Sequence, residues 1–183
     1  MPSSVFVRPM HPKAEILPNS DSVRKVLNAG WVGQLKIHGH RAQIHLSADP
    51  KEAILVYNRQ GQLHKKSLTA PMQSELRRLF TPSTGWNVID AEWIKEDGKL
   101  FVFDFIKRED ESLHRMTFQE RWKLLPRAYI SPVVQTLGLF TTLEQCMDAL
   151  GRDEDRIEGL VFKSSSPGFE DTSILRCRRR LPN

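Results

Sequence analysis

The sequence predicts an α+β domain of mostly antiparallel sheets with flanking helices. Three observations carry that expectation. In "RAQIHL", apolar Ala42, Ile44 and Leu46 alternate with polar Gln43 and His45, the period of a half-buried strand. The runs "WNVIDAEWI" and "KLFVFDFI" are joined by "KEDG", a hairpin signal. Helical segments are interspersed among strands joined by short turns, as in α+β architectures.

Each element follows in chain order. Pro2, Pro9, Pro12 and Pro18 give an extended lead-in. "NSDSVRKVLNAG" reads as a short helix, with Ser20 or Asp21 as cap, Val23, Val26 and Leu27 as its stripe and Gly30 as its stop. "WVGQLKIHGHRAQIHLS" supplies one or two strands, and "AILVYNRQG" another that ends in a turn. "TAPMQSELRRLF" is a helix with Thr69 at its cap and Pro71 in its first turn. After the hairpin, "TFQERWKLL" and "TTLEQCMDAL" read as helices, the second stopped by Gly151. "IEGLVFKSS" and "SILRCRR" are the closing strands.

Composition narrows the function classes. With 39% hydrophobic and 27% charged residues over 183 positions, the chain can build one soluble domain with a sizeable core. No apolar run reaches membrane-span length, and the first twenty residues lack the apolar core of a signal peptide. An intracellular location, cytoplasm or nucleoid, is the expectation. Two cysteines, Cys146 and Cys177, make neither a disulfide framework nor a zinc site. His38, His40 and His45 have no cysteine or acidic pair nearby to complete a metal centre. The net charge of +5 and the run "RCRRR" suit a polyanionic partner, although such a run is also what a solvated tail looks like.

The chemistry is expected where charged residues interrupt apolar strands, because an unpaired buried charge is costly. Asp90, Glu92, Asp104 and Glu158 are the acids of this kind. Lys36, Arg41, Lys163, Arg176 and Arg178 are the bases. Structural ion pairs would explain any one of them. A single polar site where sheets converge explains the set, and such a site suits a magnesium–nucleotide complex, with carboxylates for the metal and cations for the phosphates.

In order along the chain, these residues resemble the motifs of the covalent nucleotidyltransferase superfamily, which includes ATP-dependent DNA ligases, RNA ligases and mRNA capping enzymes. "KIHGHR" is similar to the family's K-x-D-G-x-R at Lys36, Gly39 and Arg41. "NRQG" resembles S-R-x-G, with Arg59, and "DAE" resembles D-G-E, with Glu92. "FVFDFI" resembles the aromatic motif, "EGLVFK" meets E-G-L-V-x-K from Glu158 to Lys163, and "ILRCR" resembles the K-x-K motif. The resemblance covers residues 10–178. His38 stands where the family has aspartate, and Arg176 and Arg178 stand in the lysine places.

The resemblance implies an ATP-grasp-like nucleotidyltransferase domain, as in DNA ligases. Residues 1–183 would form one adenylation domain, without the oligonucleotide-binding (OB-fold) barrel that usually follows. It further implies a ligase that seals 5′-phosphate and 3′-hydroxyl ends through a lysyl-AMP intermediate. Lys36 would be the nucleophile on ATP. Glu158 and Glu92 would hold Mg²⁺ or Mn²⁺, with Glu92 alternatively near the ribose. Arg41 would hold the ribose or a nearby phosphate, Arg59 the substrate 5′-phosphate, and Gln34 the adenine edge, with Leu35 between Gln34 and the nucleophile. Base preference does not follow from Gln34 alone. Phe103 would stack on the base, or join Phe101 and Phe105 in a core face. Lys163, Arg176 and Arg178 would approach phosphates. The expected partner is nucleic acid, and no membrane. DNA is favoured over RNA because "FVRPMHP" and "MTFQERWKLL" resemble segments of DNA ligase catalytic domains. A separate OB-fold protein is a further possible partner. The alternatives are an RNA ligase and a non-catalytic nucleic-acid-binding module of the same fold.

Overall fold

The computed structural model describes residues 5–12, 14–126, 131–152 and 154–179. They form two sheets, each backed by helices, with a seam between them that positions the site.

The smaller sheet has the order β1-β10-β9-β2, from Ala14–Glu15, Ile174–Arg178, Ile157–Lys163 and Val32–Ile37. The larger contains β4 (Leu55–Tyr57), β3 (His40–Ser47), β5 (Trp86–Ile94), β6 (Lys99–Arg108) and β7 (Glu111–Ser112) in that order, with β8 (Val134–Thr136) paired to β6. Pairing is antiparallel except for β1 with β10 and β6 with β8. The expected class, α+β with mostly antiparallel sheets, is the observed one.

Four helices and one short 3₁₀ turn, Asp171–Ser173, complete the described residues. Helix α2 (Ala70–Phe80) buries Met72, Leu76 and Phe80, four residues apart and so on one face. That face joins the large core with Ile44, Ile89 and Val102 of the six-stranded sheet. Helices α1 (Ser20–Asn28) and α4 (Leu143–Gly151) cover the other sheet, where Val23, Cys146 and Ala149 meet Leu160, Phe162 and Cys177. Helix α3 (Phe118–Lys123) starts at a capping box of Thr117 and Glu120. A third cluster joins Ile37 and Ile157 of one sheet to Ile94, Phe101 and Phe103 of the other, and it forms the seam.

Several local expectations change. The cap of α1 is Asn19, whose side chain accepts from Ser22 N, because Ser20 and Asp21 are already helical. Gly151 belongs to α4 instead of following it. The run from Val32 to Ser47 splits between two different sheets. β2 ends at Ile37 and β3 begins at His40, so His38 and Gly39 carry the chain across. The crossing is tight, since a Cβ on Gly39 would sit 3.0 Å from the Trp93 carbonyl oxygen and 3.1 Å from Glu92 Cγ.

The three phenylalanines of β6 do not share a face. Ala91 pairs with Val102 and Asp90 with Asp104, which leaves Phe103 as the extra residue of a bulge. A bulge reverses the alternation that follows it. Phe105 therefore enters the large core, while Phe101 and Phe103 face the seam.

Candidate active site

A cleft of about 950 Å³ opens along the seam, within the size range of small-molecule sites. Gln34, Leu35, Lys36, Glu158, Lys163 and Arg176 line it from the four-stranded sheet, and Arg41, Glu92 and Phe103 from the six-stranded one. Arg59 reaches it from the turn after β4. Arg178 does not line it.

A second bulge builds the centre of the cleft. Lys36 pairs with Gly159 and Ile37 with Ile157, so Glu158 is the extra residue of β9. Gly159 has φ of +141°, and a Cβ there would fall 2.1 Å from the Cys177 carbonyl oxygen, so glycine is required to follow the bulged glutamate. The bulge turns Glu158 toward Lys36, and the two side chains form a direct ion pair. The other carboxylate oxygen lies 2.7 Å from His38 Nδ1. Burial works to raise the Glu158 carboxyl, but hydrogen bonds from Lys36 and His38 outweigh it and hold the group below its ordinary value.

Glu92 differs. Burial pushes its carboxyl up to about 7, against the pull of Arg41 and Lys36. Among the described residues, Glu92 and Glu158 are the two carboxylates lining the cleft. Among the described residues, no group of three or more histidine, cysteine or acidic side chains converges on a point. A donor set of two carboxylates fits Mg²⁺ or Mn²⁺, which completes its shell with water and phosphate oxygens.

Behind the cleft wall lies a buried ionic layer. Arg41 makes a paired contact with Asp90. Arg121 donates to Asp104 through Nε at 2.9 Å and a terminal nitrogen at 3.0 Å. Lys163 Nζ is 4.0 Å from Asp104, too far for a hydrogen bond, and among the described residues it has no hydrogen-bond partner. It lies 3.8 Å from the Phe118 ring centroid and 4.7 Å from that of Phe103. Arg41 also approaches Phe103, at 4.8 Å, so a base stacked there would share the ring with two cations.

Burial lowers the Lys163 amine to about 7, with Asp104 opposing. The folded state therefore binds fewer protons than the unfolded state between about pH 7 and the ordinary lysine range. Stability contributed at this position rises as pH rises through that window. Lys163→Met is expected to remove that rise, so its stability profile in urea flattens relative to the parent above pH 7. An unchanged slope would place the amine in solvent.

Gln34 is 2% exposed, and its amide nitrogen donates to the carbonyls of Phe103 at 3.4 Å and Leu137 at 3.5 Å. Leu35 packs into two apolar clusters as well as lining the cleft. Arg176 and Arg178 both bind Glu15, at 3.0 Å and 2.8–2.9 Å. Arg176 lines the cleft all the same, while Arg178, which the sequence places beside the nucleotide, lies outside it. Arg180, the last arginine of its run, is outside the described residues.

The family model for RNA ligase matches residues 29–177. The chain belongs to the RNA ligase family. One solved structure agrees in fold with this RNA ligase family member, and a second shows a weaker likeness. A mycobacterial DNA ligase D, complexed with ATP and MES, has a TM-score of 0.50 at 17% identity, over 81% of this chain and 54% of that one. The ligase domain of M. tuberculosis LigD has a TM-score of 0.46 at 16% identity, over 81% and 52%. The chain thus spans about half the length of these structures. No curated protein gives a match.

Sequence reasoning left several RNA-ligase-domain residues without a role. Asp90 and Asp104 stood out as acids in apolar strands, and their partners Arg41 and Arg121 explain them. Glu15 gave no signal, because a two-residue strand has no periodicity. His38 was visible only as a departure from the motif.

Proposed function

We propose that the protein is an ATP-dependent polynucleotide ligase that works through a covalent AMP on Lys36. The observation that carries this reading is the bulge that sets Lys36 against Glu158 in a cleft with Glu92 opposite. Lys36 Nζ bonds to the α-phosphorus of ATP, and the bond to the β-phosphate bridging oxygen breaks to release pyrophosphate. The amine must first lose a proton. Glu158 already accepts from Nζ and is the nearest base, with His38 beyond it toward solvent. The nitrogen–phosphorus bond then breaks as a 5′-phosphate oxygen takes the AMP. Attack by a 3′-hydroxyl joins the strands and releases AMP.

Glu158 and Glu92 would hold Mg²⁺ or Mn²⁺, which when bound neutralises charge on phosphoryl oxygens. Arg41 and Arg176 add fixed positive charge at the cleft, and Arg59 suits the 5′-phosphate of the substrate strand. Phe103 offers a ring to the base. Arg178 acts through Glu15, whose carboxylate it shares with Arg176.

The substrate in this reading is DNA with 5′-phosphate and 3′-hydroxyl ends. The match to the RNA ligase family favours a second reading, the same chemistry on RNA ends. In this reading residues 1–183 form an adenylation domain that works inside the cell. No helix among the described residues is long and apolar enough to cross a membrane.

The test is the intact mass after incubation with ATP and Mg²⁺. One added AMP is expected. Absence of the adduct, starting from protein stripped of nucleotide, would overturn the enzyme reading and leave a binding module. Joining of nicked DNA against nicked RNA separates the two substrates. Glu158→Gln should reduce adduct formation roughly 10²–10³-fold. Its melting temperature should barely move, because a partly exposed ion pair contributes only about 0–1 kcal/mol.

A further inference from the structure

Among the described residues, most cations that line the cleft already face a carboxylate. Lys36 faces Glu158, Arg41 faces Asp90, Lys163 faces Asp104 and Arg176 faces Glu15. Lys95 and Arg59 line the cleft with no carboxylate partner among the described residues. Arg59 suits the 5′-phosphate of the strand in the ligase reading, which leaves Lys95 as the cation without a task.

Strand register fixes where Lys95 stands. On one wall β2 runs from Gln34, which bonds to the Phe103 carbonyl, to Lys36 and then Ile37. On the other wall Phe103 bulges between the rows of Asp90 and Ala91, and β5 continues through Glu92 to Ile94. Lys95 follows Ile94, four residues beyond Ala91 and so roughly 13 Å along the strand from the level of Phe103. Ile94 packs in one cluster with Ile37, which sets Lys95 across the seam at the nucleophile's end. Both walls therefore run in the same sense. A nucleotide with its base against Phe103 and its α-phosphorus at Lys36 carries its remaining phosphates toward Lys95.

The surroundings suit an anion. Lys66 Nζ donates to the Lys95 carbonyl at 2.8 Å, so a second cation stands beside the first. His40 lines the same mouth and is exposed. Lys95 Nζ lies over the buried Trp93 ring, 5.3 Å from its centroid, which props the amine at the edge of the cleft. The neighbouring acids are engaged, Glu96 with its own backbone and Asp97 with Arg156 at 3.5 Å. We propose that Lys95, with Lys66 and His40 beside it, holds the diphosphate that ATP loses. Positive charge fixed there stabilises the leaving oxygens as the bond to the α-phosphorus breaks. This site rests on the ligase reading and places the leaving group's exit on the wall opposite Lys36.

The test runs the first step backwards. Protein loaded with AMP at saturating ATP is freed of nucleotide and mixed with inorganic diphosphate and Mg²⁺. A diphosphate oxygen bonds to the α-phosphorus, the nitrogen–phosphorus bond breaks, and the amine takes a proton as ATP forms. Lys95→Met is expected to need roughly tenfold or more diphosphate for half-maximal ATP formation. Lys95→Arg, which keeps the charge, should stay near the parent. Calorimetry supplies the second readout: Lys95→Met should lose affinity for α,β-methylene-ATP by a similar factor and bind AMP as the parent does. An unchanged diphosphate requirement in Lys95→Met overturns the inference. So does an equal loss for AMP and α,β-methylene-ATP, which would mean a role in folding or at the base. In both cases the Lys36 adduct still forms, and the ligase reading stands. If the parent forms no adduct, both fall.

Discussion

Lys36→Arg is expected to form no covalent nucleotide, a loss on the order of 10⁴-fold or more. Guanidinium stays protonated at any pH the fold survives, so it has no lone pair to offer phosphorus. The substitution keeps the positive charge beside Glu158, so the ion pair and the melting temperature should persist. The parent adduct should be acid-labile and alkali-stable, as a phosphoramidate is, because protonation of nitrogen makes it a leaving group. Intact mass after acid and after alkali checks this. An adduct on Lys36→Arg, or one that alkali removes, would move the nucleophile elsewhere.

Asp104→Ala should produce the largest change in stability. The carboxylate is 1% exposed and receives two bonds from Arg121, with Lys163 at 4.0 Å. It also accepts from its neighbour's backbone, Phe105 N, at 2.9 Å. Its removal strands two buried cations. Breaking a buried pair in this way costs about 3–5 kcal/mol, which lowers the melting temperature by on the order of 10 °C in a chain of this size. Arg178→Ala, which breaks an exposed pair with Glu15, should cost no more than about 1 kcal/mol. Comparable melting shifts for the two variants would show that the ionic layer is solvated.

The sequence made the sheet class legible because alternation and the "KEDG" hairpin are local signals. It made the cleft residues legible because a charge inside an apolar strand needs a reason. It could not show that Val32–Ile37 and His40–Ser47 belong to different sheets, since both alternate alike. It also could not show the bulges at Phe103 and Glu158, which depend on partner strands distant in sequence. Those bulges separate Phe103 from Phe105 and turn Glu158 toward Lys36, so the least legible features are the ones that shape the site. β1, β7 and β8, of two or three residues each, are too short for any pattern. With β1 unseen, its Glu15 was unseen, and so was the pairing that holds Arg176 and Arg178.

The two-residue passage through His38 and Gly39 works as a ruler. It is the shortest link between the two walls, and it lies immediately beside the nucleophile. Ile37 and His40 are three peptide units apart and reach at most about 11 Å, so the walls cannot separate far at this end however the seam breathes. Widening to admit or release a ligand must come at the far end, away from Lys36. An inserted residue here would leave both cores intact and still shift Lys36 against Arg41 and Glu92. The spacing of reacting groups is thus written into chain length, where side-chain repacking cannot relax it.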